Sequence, residues 1–184
     1  MAIHHLVASL LLFFSCCHAV AAGAGVRGRL PPTLANLAPR LDHFNELPAS
    51  NGTFRQRYLV NGTFWGGAAA PVFVYAGNEG DVALFASNTG FMWEAAPRFR
   101  AMLVFVEHRY YGESLPFGGT RAAAFADASA AGYLTTAQAL ADFAELILSL
   151  KSNLTACKAP VVIFGGSYGG INRSGLFRSR TEND

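Results

Sequence analysis

One serine lies among glycines in the stretch Gly165-Gly166-Ser167-Tyr168-Gly169, which fits the spacing G-x-S-x-G. In this pattern a sharp turn from a strand into a helix exposes the serine hydroxyl above the end of a sheet, where it can attack a carbonyl carbon. Glycine suits positions 165 and 169 because a side chain there would crowd the turn. We therefore predict that Ser167 is a nucleophile; the alternative is a glycine-rich turn with an incidental serine.

The residues before this turn predict a buried strand that leads into it. Val161–Phe164 is a short apolar run, rich in β-branched side chains, that follows Pro160. Residues 71–76 and Met102–Val106 are similar runs, and each is followed by polar residues. Function concentrates at such strand ends in folds that alternate strands and helices.

Helical spacing separates these three predicted strands. The clearest helix is predicted for residues 133–154, with Thr135 and Gln138 spaced as a capping box. Its apolar stripe comprises Leu140, Phe143, Ile147, Leu150 and Leu154. A second, weaker pattern predicts a helix over residues 88–100, shortened by Pro97.

The region before residue 71 predicts an antiparallel edge. Residues 26–48 contain four prolines and are expected to form an extended lead-in. Residues 54–65 alternate apolar and polar side chains and include the turn signal Asn61-Gly62, which predicts a hairpin. Together these patterns predict an α/β fold with a mostly parallel sheet and an antiparallel N-terminal hairpin.

Composition narrows the classes of function. With 52% hydrophobic and 14% charged residues, the chain is typical of one globular domain rather than a disordered segment. The formal net charge is +2 and the basic residues form no run, so we expect no nucleic-acid partner. No metal site and no cofactor are predicted, and the oligomeric state stays open.

The N-terminus is typical of secretion. Residues 1–24 combine an apolar segment with small residues and are predicted to be a signal peptide; the alternative is an uncleaved membrane anchor. After its removal we expect no membrane span, and Cys157 is the only cysteine left, so its partner is absent from the chain or the thiol is buried and inert. Glycosylation sequons, which agree with secretory passage, begin at Asn51, Asn61, Asn153 and Asn172.

Seven ordered motifs carry a resemblance to a known family. They are Leu41-Asp-His-Phe44, Phe54-Arg-Gln-Arg-Tyr58, Gly77-Asn-Glu-Gly-Asp81, Asn88-Thr-Gly-Phe91, Glu107-His-Arg-Tyr-Tyr-Gly112, Ser114-Leu-Pro-Phe-Gly118 and Gly165-Gly-Ser-Tyr-Gly-Gly170. In these motifs the chain resembles the serine peptidases of the lysosomal Pro-X carboxypeptidase and dipeptidyl peptidase II family. The resemblance implies an α/β-hydrolase and an exopeptidase that cleaves proline-containing peptides next to proline.

The resemblance also implies site residues and a compartment. Ser167 would be acylated, and the oxyanion would accept hydrogen bonds from the N–H of Tyr168 and from an N–H of the loop that begins Gly77-Asn78. The compartment would be secreted, lysosomal or vacuolar. Whether a C-terminal residue or an N-terminal dipeptide is removed stays open.

The sequence departs from this family after the serine. Hydrolases of this fold place the triad acid and then the histidine after the nucleophile, but residues 171–184 contain no histidine. We therefore expect an incomplete hydrolase domain over residues 25–170 with a divergent tail at 171–184, and a catalytically inactive secreted fragment is the alternative function. His108 is the one alternative to the missing triad histidine. We expect instead that its imidazole is a hydrogen-bonded structural group that forms one network with Glu107 and Arg109.

Overall fold

The computed structural model describes residues 32–45 and 52–170. Its five strands are β1 (Thr33–Leu37), β2 (Gln56–Asn61), β3 (Val72–Ala76), β4 (Met102–Val106) and β5 (Val161–Phe164). They form one sheet in the order β1-β2-β4-β3-β5. β3 is parallel to both β4 and β5, whereas β2 is antiparallel to β4 and to β1.

Helices cover both faces of this sheet. They are α1 (Val82–Asn88), α2 (Gly90–Phe99), α3 (Arg121–Ala124), α4 (Ala128–Ala131) and α5 (Thr136–Asn153). α1 and α2 contribute Val82, Met92 and Trp93 to the core on one face, and α5 contributes Phe143 and Leu146 to the core on the other. The predicted α/β architecture is confirmed.

The central strands explain why both faces need cover. Every residue of β3 and β4 is buried. Alternate residues of a strand point to opposite faces, so Phe73 and Tyr75 join the α1 and α2 core while Val74 and Ala76 join the α5 core. Such strands read as continuous apolar runs, which is why the sequence predicted them well.

The N-terminal edge differs from its prediction. The antiparallel pair exists, but the partner of β2 is β1, which lies within the expected extended lead-in. Asn61-Gly62 does not start a hairpin: the chain turns there, with the N–H of Trp65 donating to the carbonyl of Gly62, and it leads to β3 without a returning strand. The hairpin over residues 54–65 is therefore wrong.

The helices agree with their predictions in part. α5 begins after Thr135, whose hydroxyl accepts from the N–H of Gln138 as expected of a capping box. The side chain of Gln138 instead accepts from the N–H of His43, so the box is only half formed. α2 continues through Pro97, and α1 was not predicted.

β5 lies at the edge of the described sheet. Among residues 32–45 and 52–170 its only strand partner is β3, and Val162 is 41% exposed. The same residues include no helix that is long and apolar enough to cross a bilayer. Because β3, β4 and β5 are parallel, their carboxyl ends meet at one edge of the sheet, and the predicted nucleophile follows β5 at that edge.

Candidate active site

The turn after β5 has the backbone of a nucleophile elbow. Ser167 is exposed and has a φ of +51°, a left-handed conformation that is strained for a residue with a side chain. A helix begins at the next residue, Tyr168. Strand, turn, strained serine and helix follow in the order that the sequence predicted.

Two glycines allow this turn to be tight. A Cβ on Gly165 would lie 2.5 Å from the carbonyl carbon of Gly169, so the ends of the turn touch each other. A Cβ on Gly169 would overlap Oδ1 of Asn78 and lie 2.5 Å from the carbonyl oxygen of Ala76. The elbow therefore lies directly against the loop that follows β3.

That loop carries the predicted second oxyanion donor. Gly77 is buried, and a Cβ on it would lie 3.0 Å from the backbone nitrogen of His108 at the end of β4. Within the described part of the chain, neither the N–H of Gly77 nor that of Asn78 donates to an acceptor. Oδ1 of Asn78 is also buried without a hydrogen-bond partner there. The oxyanion role of Gly77, Asn78 and Tyr168 stays a prediction.

Tyr168 is anchored by two neighbouring elements. Its hydroxyl is 2.9 Å from Oγ1 of Thr136, the first residue of α5, and its ring centroid is 5.4 Å from that of His108. These contacts tie the residue after the serine to α5 and to the end of β4. Thr136 was not predicted as a site residue, because a threonine in a first helical turn is an ordinary capping-region residue.

His108 differs from its prediction. It is fully buried, its Nδ1–H donates to the carbonyl of Arg109 at 2.7 Å, and its Nε2 has no hydrogen-bond partner among the described residues. Burial lowers the pKa of His108, and the partly opposing charge of Asp142 does not reverse this, so the ring is neutral at neutral pH.

The expected single network of His108 with Glu107 and Arg109 is wrong, because the two charged side chains belong to separate buried ion pairs. Nε of Arg109 is 2.7 Å from Oδ2 of Asp142. Nη2 of Arg57 is 2.5 Å from Oε1 of Glu107. Arg57 and Asp142 were not predicted as site residues, since charged side chains are rarely buried and composition gives no sign of it.

The remaining predicted groups lie away from this edge or outside the described residues. Among the sequon asparagines Asn153 is exposed, whereas Asn61 is 4% exposed and its Oδ1 accepts from the N–H of Thr63; Asn51 and Asn172 lie outside the described residues. Glycosylation stays a prediction. Cys157 is exposed, so of the two alternatives for this thiol the buried, inert one is wrong. The predicted signal peptide and the predicted divergent tail at 171–184 also lie outside the described residues, which include no cluster of three or more metal-binding side chains.

Comparison with known proteins identifies similar chains. The profile of the family described as Serine carboxypeptidase S28 matches residues 39–179, which extends past the predicted start of the divergent tail. Human "Lysosomal Pro-X carboxypeptidase" is 50% identical over 133 residues, which are 72% of this chain and 26% of that protein. "Putative serine protease pcp-1" of Caenorhabditis elegans is 43% identical over 147 residues, covering 77% of this chain and 25% of that protein. The chain thus spans about a quarter of the length of these curated relatives.

A solved structure supports the fold. A cold-adapted esterase from an Arctic intertidal metagenomic library, in a PEG-bound complex, superposes with a TM-score of 0.50 and 13% sequence identity. The match covers 85% of this chain and 59% of the esterase. The described sheet and helices are those of a partial α/β-hydrolase domain, as the resemblance implied.

The contact between the elbow and the loop after β3 gives a testable prediction. Gly169→Ala should lower the free energy of unfolding by about 1–3 kcal/mol, because its Cβ meets backbone as well as the Asn78 side chain. Gly166→Ala is the matched control, since a Cβ there meets no atom within 4 Å, and it should change stability by less than about 0.5 kcal/mol. Chemical denaturation of both variants measures the difference; equal stabilities would contradict the close packing.

The buried neutral imidazole predicts a pH dependence. The pKa of His108 is lowered by folding, so its contribution to stability is fully present above the unfolded-state pKa of about 6.5 and is lost as pH falls toward the folded-state pKa. In the His108→Gln variant the decline in stability below neutral pH should be shallower, by at most about 1.4 kcal/mol per pH unit for one group. Denaturation between neutral and mildly acidic pH tests this. Parallel curves for the two proteins would show that His108 is not the responsible group.

Proposed function

Because the chain belongs to the serine carboxypeptidase S28 family, we propose that residues 39–170 are part of a serine-type exopeptidase that cleaves peptides next to proline. The observation that carries this proposal is the exposed Ser167 with its positive φ at the carboxyl end of β5. The proline preference is supported by the name of the human relative at 50% identity. Pro-X carboxypeptidase and dipeptidyl peptidase activities are the two alternatives for the bond that is cut.

The proposed mechanism passes through an acyl-enzyme. The hydroxyl oxygen of Ser167 attacks the carbonyl carbon of the scissile bond while its proton passes to a histidine base. The resulting oxyanion accepts hydrogen bonds from the N–H of Tyr168 and from that of Gly77 or Asn78. Collapse of the intermediate transfers the proton to the leaving amine and leaves an ester on Ser167, which water then hydrolyses.

The base must come from elsewhere than the described residues. No histidine follows Ser167 in the sequence. Of the two described histidines, His43 has its Nε2 2.7 Å from Oδ1 of Asp142, and His108 is fully buried. Under this proposal the triad histidine is supplied from outside the described residues.

This same observation favours a second candidate function. The chain by itself would be a catalytically inactive secreted fragment, which keeps the nucleophile and lacks the base that activates it. Removing triad members leaves only the small residual catalysis that binding and an oxyanion hole supply.

We also propose a location in the secretory pathway, as a secreted or lysosomal or vacuolar protein. The predicted signal peptide at residues 1–24 and the sequons support passage through that pathway. The lysosomal relatives support its end point.

The nucleophile can be tested in a chimera that joins residues 1–170 of this chain to the remainder of human lysosomal Pro-X carboxypeptidase. We expect turnover of proline-containing peptides, and Ser167→Ala should reduce kcat by about 10⁴-fold or more. Ser152→Ala, an exposed serine on α5, is the matched control and should leave kcat within about twofold. Turnover that survives Ser167→Ala would overturn the assignment.

The fragment hypothesis has its own test, which is covalent labelling by a fluorophosphonate probe. The chain itself should label at Ser167 at least about 10³-fold more slowly than the chimera, because no base activates the hydroxyl. Labelling at a similar rate in both proteins would show that the chain supplies its own base and would reject the fragment hypothesis.

A further inference from the structure

We propose that Glu107 is a positioning residue that holds the loop after β3, residues 77–82, in the geometry that an oxyanion hole requires. The inference rests on the proposed function, because that function assigns the second oxyanion donor to this loop. It concerns a side chain that does not touch the substrate and acts through the backbone around it.

One oxygen of Glu107 fixes the start of α1. Glu107 follows β4 directly and is fully buried. Its Oε1 accepts from the N–H of Val82, the first residue of α1, at 3.0 Å, and from Nε of Arg57 at 3.2 Å. A buried carboxylate is costly unless it is both paired and hydrogen-bonded, and here it is both.

The other oxygen holds the segment after β4. Oε2 of Glu107 accepts from the N–H of Glu113 at 2.9 Å, and from the N–H and the hydroxyl of Ser114 at 3.0 and 2.8 Å. The segment after β4 can bend around the Glu107 carboxylate only with glycine at position 112, where φ is +54° and a Cβ would overlap the carboxylate. Glu107 is therefore the common acceptor of two loops at the edge of the sheet that carries Ser167.

Arg57 connects Glu107 to a side chain of the loop after β3. Its Nη2 lies 2.6 Å from Oδ1 of Asp81, and that oxygen also accepts from the N–H of Ala83 at 2.7 Å and caps α1. The hydrogen bond from Arg57 lowers the pKa of Asp81 and favours its charged form. Both the side chain of Asp81 and the backbone of the next residue thus depend on the Arg57–Glu107 pair.

The opposite end of the loop is fixed by packing. Gly77 lies against the backbone of β4, and Asn78 lies against Gly169 of the elbow. Only a few residues connect this end to the N–H of Val82, so the direction of the Gly77 and Asn78 N–H groups depends on both attachments. Glu107→Gln removes the charge that pairs with Arg57 and places an NH₂ donor against one of the two sets of donors, so we expect the hold on the loop to weaken.

Asp142 offers a matched control for a purely structural effect. It is also fully buried and also pairs with a buried arginine, since Nε of Arg109 is 2.7 Å from its Oδ2. Its further partner is His43, whose backbone N–H donates to Gln138 of the same helix and which does not belong to the loop after β3. Glu107→Gln and Asp142→Asn thus remove the same charge from similar surroundings, and only the first should affect the loop.

The first experiment measures hydrogen exchange by mass spectrometry on the chain itself. In Glu107→Gln we expect amides of residues 78–82 to exchange at least about tenfold faster, and in Asp142→Asn within about twofold of the unsubstituted chain. Equal rates in Glu107→Gln and the unsubstituted chain, or an equal acceleration in both variants, would overturn the proposal.

The second experiment measures kinetics in the chimera with human lysosomal Pro-X carboxypeptidase. Glu107→Gln should lower kcat by about 10- to 100-fold with KM within about threefold, because a misplaced oxyanion donor weakens transition-state binding selectively. Asp142→Asn should keep kcat within about threefold. Similar losses of kcat in both variants, or a change confined to KM, would contradict a positioning role.

A less disruptive substitution, Asp81→Ala, tests the proposal if the Glu107→Gln variant does not fold. Asp81 is half exposed, so Asp81→Ala removes the cap and the Arg57 contact without burying an unpaired carboxylate. It should accelerate exchange at residues 78–82 and lower kcat by about three- to tenfold; unchanged exchange and kcat would overturn the proposal. If Ser167→Ala leaves the chimera active, the proposed function fails and the oxyanion role fails with it, while the exchange experiment still decides whether Glu107 holds the loop.

Discussion

The elbow after β5 can lie against the loop after β3 only because residue 169 carries no side chain. A Cβ there would meet the carbonyl oxygen of Ala76 at 2.5 Å and the side chain of Asn78 more closely still. This contact is available because β3 lies between β4 and β5 and runs parallel to both. The strained turn at Ser167 is thereby brought next to the N–H groups of Gly77 and Asn78, which donate to no acceptor among the described residues.

Two buried ion pairs lie near this contact: Arg57–Glu107 bonds to the loop after β3, whereas Arg109–Asp142 joins residues 40–43 to α5. Arg57 with Glu107, and Arg109 with Asp142, each lose hydration on burial, and their attraction offsets this only because backbone groups supply further hydrogen bonds. The carbonyls of Leu41 and Tyr133 accept from Arg109. The pairs therefore specify geometry as much as they add stability.

The sequence predicted the parts of the fold that rest on apolar pattern. β4 and β5 and the centre of α5 follow from runs and periodicity, and the elbow follows from its glycines. β1 was missed because a short edge strand lacks a buried pattern and depends on pairing with β2. α1 was missed because it is short and the N–H of its first residue is bonded by Glu107, which lies 25 residues further along the chain. The buried charges were missed because their partners are fixed by tertiary structure.

The most direct test of the central claim is a crystal structure of the chimera after reaction with a prolyl phosphonate. We expect a bond from phosphorus to Oγ of Ser167. We also expect one phosphoryl oxygen within about 2.7–3.1 Å of the backbone nitrogen of Tyr168 and of that of Gly77 or Asn78. Phosphorus bound to another residue, or a phosphoryl oxygen turned away from both backbone nitrogens, would contradict the account.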